Sequence, residues 1–154
     1  MRIEVKQMSN EELLRQMLDA IPCYIFLMDS DCVIQDCNAA AGRFLGQEPH
    51  QVLRRRGGEV FHCIHSTDVA EGCGRGEFCR NCLIRGAVSE AVAGRKSVRR
   101  RAKMELASGA TVKELNVLVT AAPFTYQDYN WVALVLEDLD TIGRQESWLP
   151  PRGN

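Results

Sequence analysis

No stretch of this sequence stays apolar for the roughly 18 residues that a membrane-spanning helix needs. The opening, MRIEVKQMSNEE, lacks the apolar core of a secretory signal peptide. Neither sign of charge dominates: 19 basic residues stand against 20 acidic ones, a formal net charge of −1. That balance provides no global attraction to nucleic acid or to an acidic membrane. Together these absences predict a cytoplasmic protein with no membrane and no nucleic-acid partner, in a compartment where thiols stay reduced. The seven cysteines are odd in number, so they cannot all pair within one chain. A composition of 45% hydrophobic and 25% charged residues over 154 positions is that of one globular domain with a short extension at each end.

What the chain does have is a cysteine cluster. The stretch from Gly57 to Gly86, GGEVFHCIHSTDVAEGCGRGEFCRNCLIRG, holds four cysteines, Cys63, Cys73, Cys79 and Cys82, spaced C-x9-C-x5-C-x2-C. The last two form a C-x-x-C step, which lets two thiolates converge on one atom or cluster. Cys73 lies within Gly72-Cys73-Gly74-Arg75-Gly76, where glycines allow backbone N–H groups to turn toward a sulfur. The pattern reads first as a soft-metal site on these four residues, with His62 and His65 as alternate ligands. Zinc ribbons carry two C-x-x-C knuckles and this chain has one; a three-cysteine, one-histidine zinc site remains open. An iron–sulfur cluster also fits, since it takes four thiolates with one close pair. Two plainer readings stand beside these: buried cysteines acting as small apolar residues, and disulfides, which the expected compartment disfavours.

In chain order, Ser9 or Asn10 is expected to cap a helix over residues 10–21, with Leu13, Leu14, Met17, Leu18 and Ile21 along one face. That face either packs on the chain's own sheet or forms a dimer seam, and Pro22 stops the helix. Residues 23–28 and 32–36 read as a strand hairpin about Asp29-Ser30-Asp31, with Cys23, Cys32 and Cys37 as packing residues. Asn38 opens a helical turn ending at Gly46, and Pro49 starts another that runs into Arg54–Arg56. These arginines read as a solvated helix end rather than a phosphate site. Residues 78–93 are predicted to be one helix with Cys79 and Cys82 on one face. Three strands follow: 97–107, bearing Arg99–Arg101; 111–121, with Leu115, Val117 and Val119 inward; and 130–136, a central strand. Residues 124–128 read as a loop, and Glu137-Asp138 ends the last strand. The order is that of an α+β domain with helices on one face of an antiparallel sheet.

The segment LLRQMLDAIPCYIFLMDSDCVIQDCNAAAGRFLG resembles the opening of PAS sensor domains, and WVALVLEDLDTI resembles their exit strand, with Asp140 where the usual Asp-x-Thr motif has threonine. The resemblance covers about residues 10–142, leaving 1–9 as a lead-in and 143–154 as an irregular tail. It implies a PAS-like five-stranded antiparallel sheet in the order 2-1-5-4-3, with helices covering one face, and it makes residues 57–86 the segment covering the ligand pocket. PAS sensors that carry an oxygen-labile iron–sulfur cluster on four cysteines have two C-x-x-C pairs, where this chain has one. Flavin-reactive PAS domains need Asn-Cys-Arg-Phe-Leu-Gln, which Arg80-Asn81-Cys82-Leu83 does not reproduce. A c-type haem needs histidine where Leu83 stands.

The expected function is a non-enzymatic sensory module holding a redox- or oxygen-responsive iron–sulfur cluster, or Zn2+, on Cys63, Cys73, Cys79 and Cys82. It would signal as a homodimer through residues 10–21 and through a separate partner such as a kinase or regulator. The rival readings are a PAS-like binding module stapled by structural zinc and, further off, a thiol oxidoreductase using Cys79-x-x-Cys82 or Cys63 with His62 and His65. The oxidoreductase lacks a strand-turn-helix of thioredoxin type around its cysteines.

Overall fold

The computed structural model describes residues 8–146. Ser9 accepts a hydrogen bond from the Glu12 backbone N–H and caps α1 (Asn10–Ala20), whose first turn holds Glu11 and Glu12 against the positive end of the helix. α1 buries no residue: Leu13, Leu14, Met17 and Ile21 are all exposed. The packing of this face on the chain's own sheet is therefore corrected. Arg15, reaching Asp36 and the Cys37 carbonyl, fastens the helix by its polar side instead.

β1 (Tyr24–Met28) and β2 (Ile34–Cys37) form the expected hairpin. Asn38 caps α2 (Ala39–Leu45), and Gly46 ends it in the left-handed conformation, where a glycine carries no steric penalty. Two single-turn helices follow, α3 (Pro49–Val52) and α4 (Gly57–Val60). Between them the arginine run pairs with the edge of β2: Arg54 N–H donates to the Ile34 carbonyl and Ile34 N–H to the Arg55 carbonyl. That segment is edge pairing, not only a solvated helix end.

α5 (Leu83–Gly94) lies against β3 (Val98–Ser108), β4 (Thr111–Tyr126) and β5 (Tyr129–Asp138). Ala87, Val88 and Ala91 are its buried side, small enough for the helix to sit close to the strands. The sheet order is β2-β1-β5-β4-β3, antiparallel throughout, as the resemblance implied. Its inner face is the core: Phe26 and Met28 from β1, Leu115, Val117 and Val119 from β4, and Val132, Leu134 and Leu136 from β5. β5 is central but alternates between buried and half-buried residues, so it is fully covered on one face only.

Two further expectations change. Residues 124–128 are not a loop, because Phe124 pairs with Trp131 and Tyr126 with Tyr129. The reversal is made by Gln127 and Asp128 alone, both at positive φ, as in the tight turns that match strand twist. Part of the expected irregular tail is helical: α6 spans Leu139–Glu146, and the Asp138 carboxylate accepts from the Asp140 and Thr141 N–H groups at its start. Residues 1–7 of the lead-in and 147–154 of the tail lie outside the described residues. Among the described residues, no helix is long and apolar enough to cross a membrane.

Candidate cysteine site

The segment from residue 57 to 86 lies over the β3 side of the sheet and is tied to both sheet edges. Gly57 N–H donates to the Cys32 carbonyl beside β2, while Cys63 bridges to Leu106 and Ala107 N–H donates to the His62 carbonyl on β3. Between these anchors the chain makes a short 3-10 turn at Ile64–Thr67, then a loop, then a second 3-10 turn at Phe78–Asn81. Under it is a cavity of about 270 Å³. The sheet side contributes Met28, Cys32 and Met104; the cover contributes Phe61, Ile84, Arg85 and all four cysteines of the cluster, Cys63, Cys73, Cys79 and Cys82. Each of the four is half-buried and carries a free thiol.

The local chain directions explain this convergence. Gly72 and Gly74, at φ of 86° and 87°, flank Cys73 in a conformation that side chains rarely adopt, and they turn the loop back on itself. Gly74 N–H then donates to Cys79 Sγ at 3.2 Å, so the glycine loop directs an N–H to the sulfur of a different cysteine from the one it encloses. The helix expected over 78–93 is interrupted at Cys82, whose backbone is extended at ψ 119°. Cys82 is the N-cap of α5, and its Sγ accepts from Arg85 N–H at 3.5 Å. Cys79 and Cys82 therefore approach the cavity from a 3-10 turn and a cap, not from one helical face.

Burial pushes the Cys63 thiol upward; the His65 backbone N–H works against that, and the neighbouring Cys82, Cys73 and Cys79 reinforce it. The four groups are thus near enough to interact electrostatically. They are not drawn onto one point: among the described residues, no three of His, Cys, Asp and Glu form a group ready to hold a metal ion. Of the alternate ligands, His65 lines the cavity, stacked on Phe78 with its Nδ1 2.8 Å from Asp68 Oδ2. His62 is exposed, does not line the cavity, and contributes only its carbonyl to β3.

Three contributors went unread in the sequence. Cys32 is buried among core residues, as a packing residue should be, but it also lines the cavity from a left-handed position, φ 60°. Burial pushes its thiol up to about 12, with Arg85 acting in the opposite direction. Asp31, read only as a turn residue, accepts from Arg56, Arg75 and Arg85. Arg85 also reaches the Asp31 carbonyl at 3.1 Å and Cys73 Sγ at 3.7 Å. No spacing rule joins positions 31 and 85, so only the folded chain reveals the group.

Burial opposes ionisation of Asp31, but the hydrogen bonds from Arg75, Arg85 and Arg56 outweigh it and lower its pKa from 3.8 to about 2. A carboxylate lowered in this way stabilises the fold above its unfolded value, and that contribution disappears as pH falls through about 2. Acid unfolding of the wild type is expected to lose about 1 kcal/mol in this window, after allowance for solvent screening of a partly exposed group. Asp31→Asn should lack that component; an identical acid profile in the variant would contradict the assignment.

Residues 12–75 match the family model for the PAS fold, a match that stops short of Cys79 and Cys82. No curated protein matches the sequence. Solved structures do match. The PAS domain of nitrogen regulation protein NR(II) from Vibrio parahaemolyticus superposes with a TM-score of 0.62 at 13% identity, over 82% of this chain and 97% of that one. The LOV protein of Rhodobacter sphaeroides gives 0.59 at 14% identity, over 92% and 73%. The PAS domain of Bordetella pertussis BvgS gives 0.56 at 16% identity, over 92% and 100%. At such identities the likeness is one of fold.

Proposed function

We propose that this chain, whose fold is that of PAS domains, is a sensory module that holds a redox- or oxygen-responsive iron–sulfur cluster on Cys63, Cys73, Cys79 and Cys82. One observation carries the reading: four thiols from the cover, Cys63, Cys73 and the Cys79–Cys82 turn, open into a single cavity against the sheet. The N–H donors on Cys79 and Cys82 and the guanidinium near Cys73 are the partners that thiolate ligands use. Zinc as a structural staple is the second reading, supported by the small apolar content of the 57–86 loops.

In this reading oxidation dismantles the cluster, the four thiols are released, and the cover loosens on the sheet. A partner such as a kinase or regulator reads that change. Self-association belongs to the same proposal, through the exposed Leu13, Leu14 and Met17 of α1. Sedimentation as a monomer at every concentration would remove that part.

Anaerobic purification followed by iron, sulfide and zinc analysis tests the centre. A brown protein with iron and sulfide is expected. A colourless protein with stoichiometric zinc selects the staple, and a protein with neither ends both readings. Cys73→Ala and Cys79→Ala should each bring metal content near zero. Cys23→Ala and Cys37→Ala, outside the cavity lining, should leave it unchanged.

A further inference from the structure

Two of the four cysteines share one neighbour that is not a cysteine. Arg85 meets Cys82 Sγ through its backbone N–H at 3.5 Å and Cys73 Sγ through its guanidinium at 3.7 Å. The same guanidinium is pinned by Asp31, at 2.8 Å from Oδ1 and 3.1 Å from the carbonyl. Its side chain is 17% exposed, the most enclosed of the three arginines on Asp31. The Cys73 loop closes directly on it, for a Cβ at Gly74 would overlap the guanidinium.

Arg56, Arg75 and Arg85 all face the Asp31 carboxylate, and of the three the Arg85 guanidinium is the one that also reaches a cysteine of the cavity. A fixed positive charge beside a sulfur attracts the negative charge that a thiolate ligand carries.

We propose that Arg85 is the positioning residue of the cysteine site: held on Asp31, it orients Cys73 and places a positive charge beside the thiolate that binds the centre. This rests on the four-cysteine reading above and adds to it the residue that holds Cys73 in place. It also connects the site to the β1–β2 turn, since Asp31 is shared between the two.

The test uses Co2+ as the probe, titrated anaerobically into the reduced full chain. The sulfur-to-cobalt charge-transfer intensity counts the thiolates, and competition with a chelator measures affinity. Arg85→Gln, which loses the charge, is expected to bind Co2+ about tenfold to a hundredfold more weakly, the range seen when partners behind metal ligands are removed. Arg85→Lys, which keeps the charge, should recover most of that loss with four thiolates still bound. Wild-type affinity in Arg85→Gln overturns the inference, as does equal weakness in both variants, which would mark a purely structural role. If Arg85→Gln does not fold, Arg85→Lys decides: affinity near wild type supports the inference, and affinity as low as in Cys73→Ala overturns it. A wild-type chain that binds no Co2+ through its thiols instead removes the four-cysteine reading itself, and the inference with it.

Discussion

Asn38→Ala is expected to cost about 3–4 kcal/mol of folding stability, the largest loss from any single polar side chain among the described residues. Asn38 is 2% exposed and is the buried polar residue among the described side chains. Its Nδ2 lies within hydrogen-bond distance of the carbonyls of Leu18, Ile21 and Cys23, at 3.0, 3.2 and 2.9 Å. Its Oδ1 accepts from the N–H groups of Ile25 and Ala41, at 3.0 and 3.1 Å. One amide therefore joins the end of α1, the start of β1 and the cap of α2. Alanine would remove a helix cap, worth about 1 kcal/mol, and take a partner from the Ala41 N–H, the part-buried Ile25 N–H and the carbonyls of Ile21 and Cys23. Asn38→Asp should be at least as damaging, because carboxylate oxygens would face three carbonyl oxygens. The measurement is the denaturation midpoint at unchanged slope. A loss below about 1 kcal/mol for Asn38→Ala would show that water replaces the amide at this junction.

Gly58→Ala should strip the cysteine site while leaving the fold in place. A methyl group at Gly58 would stand 2.7 Å from Cys73 Sγ and 3.1 Å from its Cβ, distances that force something to move. The same methyl would lie 3.5 Å from Cys63 Cβ, so Gly58 is the floor shared by two of the four cysteines. Cys73 has no easy retreat. Its flanking Gly72 and Gly74 are closed against the Glu59 carboxylate and the Arg85 guanidinium. The expected result is metal content at or below about a tenth of wild type, with about 1–3 kcal/mol of overpacking cost. Gly42→Ala is the control: it lies within α2 with nothing within 4 Å of the added methyl, and should be neutral or stabilising by up to about 1 kcal/mol. Full metal retention in Gly58→Ala would mean that Cys73 is not a ligand.

Much of the frame was legible because its signals are local. Ser9, Asn38 and Gly46 mark helix ends through hydrogen bonds or a backbone conformation reached within a few residues. Leu115, Val117 and Val119 mark an inward strand face through period-2 alternation. Where such signals compete, the reading failed. The apolar run after Cys79 continues a helical pattern, yet Cys82 makes a better cap than an interior residue, and the predicted single helix is divided there. Gln127-Asp128 carries no glycine or proline, so a two-residue turn was read as the end of a longer loop. The face of α1 has the spacing of a packed helix, but spacing does not say what it packs against, and among the described residues it buries none of its apolar side chains fully.

By itself, then, the sequence determined most of the succession of helices and strands and, through its resemblance to PAS domains, the sheet order. Caps, alternation and the C-x-x-C step are properties of neighbouring residues and survive without a fold. Only the tertiary structure decided that the four thiols, joined by Cys32, line one cavity, that His65 borders it and His62 does not, and that Arg85 sits between Cys73 and Asp31. Those relations join residues up to 54 positions apart. They exist because the cover is tied to both edges of the sheet and its glycine turns fold Cys73 back over it, a closure to which no local pattern in the chain corresponds.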